Sequence, residues 1–289
     1  MRYPAKVLLF GEYVVLLGAR ALTLPFERFG GEWAWSADDD PLREALRAFA
    51  HSETLAQIAE LDAEAFQRDV AQGLTFRSDI PVGYGLGSSG ALCAAVYDRY
   101  AQPKATDLTT LQQIFAHMEN HFHGKSSGLD PLTSYIRRPL LTQQGQTRLF
   151  EQQPWQTPPP GVFLLDTGQA RQTGPLVQGF LEKIRQNDFR VLLERDLLPA
   201  HEALISAWQA GQGEAAWPYL RRVSAFQLEH FQPMIPEPWR QPWAEALAAE
   251  EILLKICGAG GGGFLLLFSR DKEKKTAAGT AAGSIQLPI

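Results

Sequence analysis

The sequence predicts an α+β protein built in two parts, and three observations carry that expectation. Strand-like and helix-like runs are mixed in both halves of the chain, with no internal repeat. A proline-rich stretch, Pro154–Pro160 (PWQTPPP), interrupts them near the middle. With 289 residues, 45% hydrophobic and 20% charged, the chain can bury a sizeable core. The boundary is expected at the proline-rich stretch, dividing residues 1–155 from 156–289.

The elements follow in order. Ala5–Phe10, Tyr13–Leu17 and Gly31–Trp35 are rich in Val, Leu and aromatic residues, are broken by Gly11 and Gly18, and are expected strands. Asp38–Asp40 before Pro41 is a helix start, and helical composition continues to about Arg68 with a break near His51. Leu74–Ser78 is strand-like; Pro81–Gly87 is a glycine-rich loop leading into a helix, Ser88–Arg99. In a second helix, Asp107–Phe122, the apolar residues fall on one arc at ~100° per residue. Glu119 lies at the margin of that arc, placed to face a cleft. Gly161–Asp166 reads as a buried strand, and the stretch from about Pro175 to Gln232 as helices. Pro233–Pro242 reads as a turn before a short helix. Leu253–Cys257 and Phe264–Phe268 read as strands joined by glycines, and Asp271–Ile289 as a helix and an edge strand.

Composition narrows the function classes. Twenty-seven basic residues against 32 acidic ones give a net charge of −5. No basic patch or charge run is present, which argues against nucleic-acid and membrane-surface partners. Cys93 and Cys257 sit in apolar, glycine-containing stretches, as reduced thiols do. Lys6 and Glu12 interrupt the N-terminal apolar run, so it does not read as a signal peptide. The expectation is a cytoplasmic enzyme or binding module.

The loop Pro81-Val-Gly-Tyr-Gly-Leu-Gly-Ser-Ser-Gly90 is the most informative segment. Its glycines free the backbone to turn N–H groups inward, and a helix N-terminus follows, which together make a polyphosphate cradle. Two hydroxyls at the helix start suit a phosphate oxygen and a hard cation. The GK[ST] ending of a P-loop is absent. The run Gly258-Ala-Gly-Gly-Gly-Gly263 has more glycine than a hairpin needs and suggests close backbone approach to a ligand or to the other part of the chain. In Glu119-Asn-His-Phe-His-Gly-Lys-Ser-Ser-Gly-Leu-Asp130, two carboxylates 11 positions apart can divide metal binding from proton handling. Lys6 lies in an apolar strand, where its charge needs a partner. His117 and His121 have the i, i+4 spacing of zinc helices. Glu119 follows His117 by two residues rather than one, so they read as surface histidines instead.

The order of these motifs is specific. Ala5-Lys-Val-Leu-Leu-Phe-Gly-Glu12, GLGSSG at Gly85–Gly90, HGKSSGLD at His123–Asp130 and GAGGGG at Gly258–Gly263 together resemble the GHMP kinase superfamily over nearly the whole chain. The first and third of these, with Asp166-Thr-Gly-Gln-Ala-Arg-Gln-Thr173, look most like the mevalonate kinase branch, in its short bacterial form. The resemblance implies a two-domain GHMP kinase fold. Its N-terminal ATP-binding domain is like ribosomal protein S5 domain 2, and its C-terminal domain is ferredoxin-like, with the site in the cleft between them. It implies ATP and Mg²⁺ as cofactors and a small-molecule alcohol, mevalonate, as acceptor, with at most a second copy of the chain as protein partner. By motif position, Gly83, Gly85, Leu86, Gly87, Ser88 and Ser89, with Gly258, Gly260 and Gly261, would hold the nucleotide. Ser89 and Glu119 would bind Mg²⁺. Asp130 matches the catalytic aspartate and Lys6 the lysine paired with it. Glu12, Tyr13, Arg171 and Thr173 match substrate-side positions. Two departures stand out: the family's Gly-Glu-His becomes Gly11-Glu12-Tyr13, and the usual Asn after the aspartate is Pro131.

Overall fold

The computed structural model describes residues 1–36, 41–157, 159–170, 173–270 and 284–289. Chain order begins with β1 (Arg2–Phe10) and β2 (Ala21–Trp35). Three helices follow, α1 (Pro41–Ala50), α2 (Glu53–Ala56) and α3 (Ala63–Ala71), then β3 (Leu74–Ser78). Next come α4 (Ser88–Tyr100), α5 (Leu108–His123) and α6 (Leu129–Ile136), and a hairpin of β4 (Leu140–Gln143) and β5 (Gln146–Leu149). The long strand β2 organises this sheet. It pairs antiparallel with β1 along most of its length, with β3 at residues 31–35 and with β4 at residues 21–23. Helices α4 and α6 pack on β1 and β2, because their small and apolar faces (Ala91, Ala94, Ala95, Leu132) are fully buried there.

A second antiparallel sheet has the order β7-β8-β6-β9, from β6 (Gly161–Asp166), β7 (Ile252–Ile256), β8 (Phe264–Ser269) and β9 (Ser284–Gln286). Between β6 and β7 run α7 (Thr173–Lys183), α8 (Asn187–Leu192), α9 (Leu198–Gln209), α10 (Gly213–His230) and α11 (Glu237–Ala249). Helices α10 and α11 pack on β7. The two sheets share one core. Phe10, at the end of β1, stacks on Phe268 of β8 at 6.0 Å and meets Trp208 of α9 edge-on at 5.1 Å. That apolar plug fixes the end of β1, and the residues following it, against the second sheet.

Three expectations are corrected. Tyr13–Leu17 is no strand: Tyr13 has φ 63° and Val14–Leu17 form a single 3₁₀ turn. The chain leaves the first sheet there because Glu12 and Tyr13 are tied to the second, as described below. The turn expected over Pro233–Pro242 is shorter, since α11 already begins at Glu237. Pro238 lies in its first turn, where no N–H partner is needed. The Ala21–Trp35 strand runs through residues whose Pro25, Gly30 and Gly31 concealed it. The expected helix start at Asp38–Asp40 and the helix after Asp271 lie outside the described residues. No described helix is long and apolar enough to cross a membrane.

Candidate active site

A cleft of about 550 Å³ opens where the loop before α4 meets the end of β1, α5, the start of α6, α7 and the turn after β7. Its lining includes Lys6, Glu12, Tyr13, Gly83, Gly85, Leu86, Gly87, Ser88, Ser89, Glu119, Asp130 and Gly258. Twelve of the residues singled out from sequence thus come to one place.

The loop is built for an anion. Leu86 is fully buried and anchors it, and the Lys6 N–H donates to the Leu86 carbonyl at 2.9 Å. Gly83, Gly85 and Gly87 all have left-handed backbones (φ 78°, 75° and 74°), a conformation that only glycine adopts freely. Repeated left-handed residues ahead of a helix N-terminus turn successive N–H groups to one side, the geometry of an anion nest.

Beside the loop, Lys6 Nζ lies 3.0 Å from Asp130 Oδ1. The ammonium group is almost buried, and the carboxylate is about one-third exposed and reachable from the cleft. Asp130 sits in the first turn of α6, after Gly128 in a left-handed cap. Pro131 is buried in the same turn. A Cβ at Gly90 would come within 2.8 Å of the Pro131 nitrogen, so Gly90 lets α4 approach α6 and bring Ser89 near Asp130. The proline therefore fits a position that calls for no backbone N–H.

Glu119, near the end of α5, is only 3% exposed. Ser89 Oγ donates to its Oε1 at 3.1 Å and Ser126 Oγ to its Oε2 at 2.5 Å. Ser89 Oγ also lies 2.9 Å from His123 Nε2. Burial, followed by the nearby Asp130 charge, pushes the Glu119 carboxyl up to about 7, while the two serines and Lys6 pull it down. A buried carboxylate beside two hydroxyls is a hard-oxygen set short of positive charge, and it fits a Mg²⁺ ion that keeps several of its waters. Among the described residues no cluster of three or more His, Cys, Asp and Glu suits a metal. His121 is exposed and rests on the Phe49 ring at 5.1 Å. His117 departs from the surface expectation, with a buried Nε2 that has no partner.

Several expected residues are engaged by other parts of the protein. Glu12 is fully buried and its carboxylate is taken by the Lys255 ammonium. The Tyr13 hydroxyl donates to the Ala259 carbonyl at 2.6 Å. Both line the cleft, but these polar atoms are bound to protein. Gly260 and Gly261 make room for neighbours: a Cβ would lie 2.3 Å from the Met234 carbonyl oxygen or 2.5 Å from the Leu176 side chain. Gly263 similarly abuts the Tyr84 backbone. The glycine run is thus a seam of close backbone approach, and only Gly258 of the three expected nucleotide ligands there lines the cleft. Arg171 lies outside the described residues, and Thr173 is described only as the first residue of α7. Sequence reading missed Lys255, Ser126 and His123. Lys255 carried a usable signal, a lone charge in the apolar run Leu253–Ile256, the criterion that marked Lys6.

A scan against protein families matches residues 51–137 to the GHMP kinases N terminal domain. That stretch of the chain is similar to the N-terminal domain of the GHMP kinases. The whole chain's similarity to curated proteins runs nearly end to end. The mevalonate kinase of Pyrococcus horikoshii is 26% identical over 97% of this chain and 92% of its own, and that of Pyrococcus abyssi is 26% identical over 95% and 89%. These relatives are archaeal, whereas the motifs pointed to a bacterial form. Among solved structures, a Streptococcus pneumoniae phosphomevalonate kinase with phosphomevalonate and AMPPNP aligns with a TM-score of 0.68 at 17% identity, covering 99% of both chains. An L. major mevalonate kinase with R-mevalonate aligns with a TM-score of 0.66 at 18% identity, over 99% of this chain and 94% of that one. These alignments bear on the fold, which is that of the GHMP kinases.

Proposed function

We propose that this protein is a GHMP kinase that transfers the γ-phosphoryl group of ATP to the 5-hydroxyl of mevalonate. The observation that carries the reading is the Lys6–Asp130 pair, 3.0 Å apart beside the glycine nest of Gly83–Gly87. In the proposed reaction the nest holds the nucleotide phosphates. Asp130 orients the acceptor hydroxyl and takes its proton, while Lys6 offsets charge on the transferring group. Ser89 and Glu119 would hold Mg²⁺, which would neutralise phosphate charge. The hydroxyl of Ser126 keeps the Glu119 carboxylate oriented. We assign residues 1–155 to the nucleotide-binding part and 156–289 to the second, with a cytoplasmic setting.

Phosphomevalonate kinase is the rival reading, because its substrate has the same carbon skeleton and one more phosphate. A second phosphate calls for further cations at the acceptor end. Among the described lining residues, Lys125 is the one Lys or Arg besides Lys6. Arg137 turns away to pair with Glu27 at 3.0 Å. This favours mevalonate, as do the curated relatives. An ADP-release assay with mevalonate, phosphomevalonate, galactose and homoserine in parallel tests the choice. Turnover should be highest with mevalonate; turnover with another alcohol and none with mevalonate would overturn the substrate while leaving the kinase.

A further inference from the structure

Two polar residues of the cleft wall, Glu12 and Tyr13, and Lys255 behind them are used by none of the steps above. The Lys255 ammonium of β7 and the Glu12 carboxylate just after β1 form an ion pair, 1% and 2% exposed, between residues 243 positions apart in sequence. Taking both charges out of water is costly, and such a pair persists where further hydrogen bonds complete it. Two are present: Lys255 also donates to the Ile256 carbonyl at 3.0 Å, and the Gly258 N–H donates to the Glu12 carboxylate. The next residue, Tyr13, donates its hydroxyl to the Ala259 carbonyl at 2.6 Å. Its ring packs on Phe180 of α7 at 4.8 Å and on Phe231 at 5.3 Å. Adjacent side chains from the turn just after β1 thus grip adjacent peptides of the turn after β7.

We infer that Tyr13 is a positioning residue. With Glu12 and Lys255 it clasps the Gly258–Ala259 turn and so fixes the part of the cleft wall that receives the acceptor alcohol. The assignment of that wall rests on the proposed function: the nest of the first sheet takes the nucleotide phosphates, which leaves the wall of Tyr13, α7 and Gly258–Ala259 to the acceptor. The backbone supports a purposeful fit. Tyr13 is one of four described non-glycine residues with positive φ, and the strain is held by groups on both sides. The clasp also accounts for the Tyr where the family motif has His, since a phenol reaches the carbonyl while its ring fills the aromatic cluster.

The test is Tyr13→Phe in the full chain, which removes one hydroxyl and keeps the ring packing. The melting temperature should shift by no more than about 2 °C. Amide hydrogen exchange, read by mass spectrometry without any substrate, should accelerate about 2–10-fold over residues 256–264 and stay unchanged elsewhere, the range expected for one neutral hydrogen bond. The KM of whichever alcohol the enzyme turns over should rise by a similar factor, with the KM for ATP within about twofold. Unchanged exchange in 256–264 would overturn the clasp. Faster exchange with an unaltered acceptor KM would overturn its positioning role. Failure of mevalonate as substrate would leave the exchange result standing, so the two readings fail separately.

Discussion

Replacing Glu119 with Gln should stabilise the metal-free protein above neutral pH while damaging the enzyme. The carboxyl is raised from its ordinary 4.5 to about 7 by burial and by Asp130. At about 1.4 kcal/mol for each tenfold change in proton affinity, ionised Glu119 costs the metal-free fold roughly 3 kcal/mol at pH 8. The sign follows from proton counting. Between about pH 4.5 and 7 the folded chain holds a proton on Glu119 that the unfolded chain has lost, so this group's contribution to stability falls as pH rises through that window. An amide has no charge to desolvate and still meets Ser89 and Ser126. In urea titrations with EDTA, Glu119→Gln should match the wild type at pH 5 and exceed it by about 2–3 kcal/mol at pH 8. Mg²⁺ with a non-hydrolysable nucleotide should then stabilise the wild type more than the variant, because the ion would neutralise the buried charge. A variant that is less stable at pH 8, or a difference independent of pH, would refute the reasoning.

Other perturbations test separate parts of the cleft. Ser89→Ala should raise the Mg²⁺ concentration for half-maximal activity roughly tenfold without unfolding the protein, as the loss of one oxygen near the ion predicts; a Mg²⁺ titration checks it. Gly87→Ala places a Cβ 3.1 Å from Lys6 Cγ and 3.3 Å from Asp130 Oδ2 on a left-handed backbone. It should cost about 1–2 kcal/mol in stability and lower kcat by more than about tenfold, read by urea denaturation and steady-state kinetics. Arg171→Lys should raise the mevalonate KM about tenfold and leave the ATP KM near its original value if the planar fork holds the substrate carboxylate. An effect on ATP alone would move Arg171 to the nucleotide side.

What was legible in the sequence follows the range of the interactions that decide each element. The nest before α4 and the strand Gly161–Asp166 were readable because local glycine spacing and an unbroken apolar run determine them. The hairpin Leu140–Leu149 was missed because Gln144-Gly145 occupies a left-handed turn usually marked by Asn or Asp before Gly. Val14–Leu17 had the residues of a strand, but contacts from Glu12 and Tyr13 to a segment more than 240 positions away draw the chain out of the sheet. The site divides in the same way. Lys6, Ser89, Glu119 and Asp130 lie in local motifs that single them out, and they line one cleft. The role of Glu12 depends on Lys255, a partner that only the packing of two sheets reveals.

The central claim is that Asp130, paired with Lys6, handles the acceptor hydroxyl during phosphoryl transfer. The most direct test is the kcat of Asp130→Asn with mevalonate, measured alongside ATP binding and melting temperature. The account predicts a loss of ~10²–10⁴ in kcat, with nucleotide binding and fold retained, and a Lys6→Met/Asp130→Asn double variant little worse than the more damaged single one. A near-wild-type kcat in Asp130→Asn would contradict it, whatever the variant's stability.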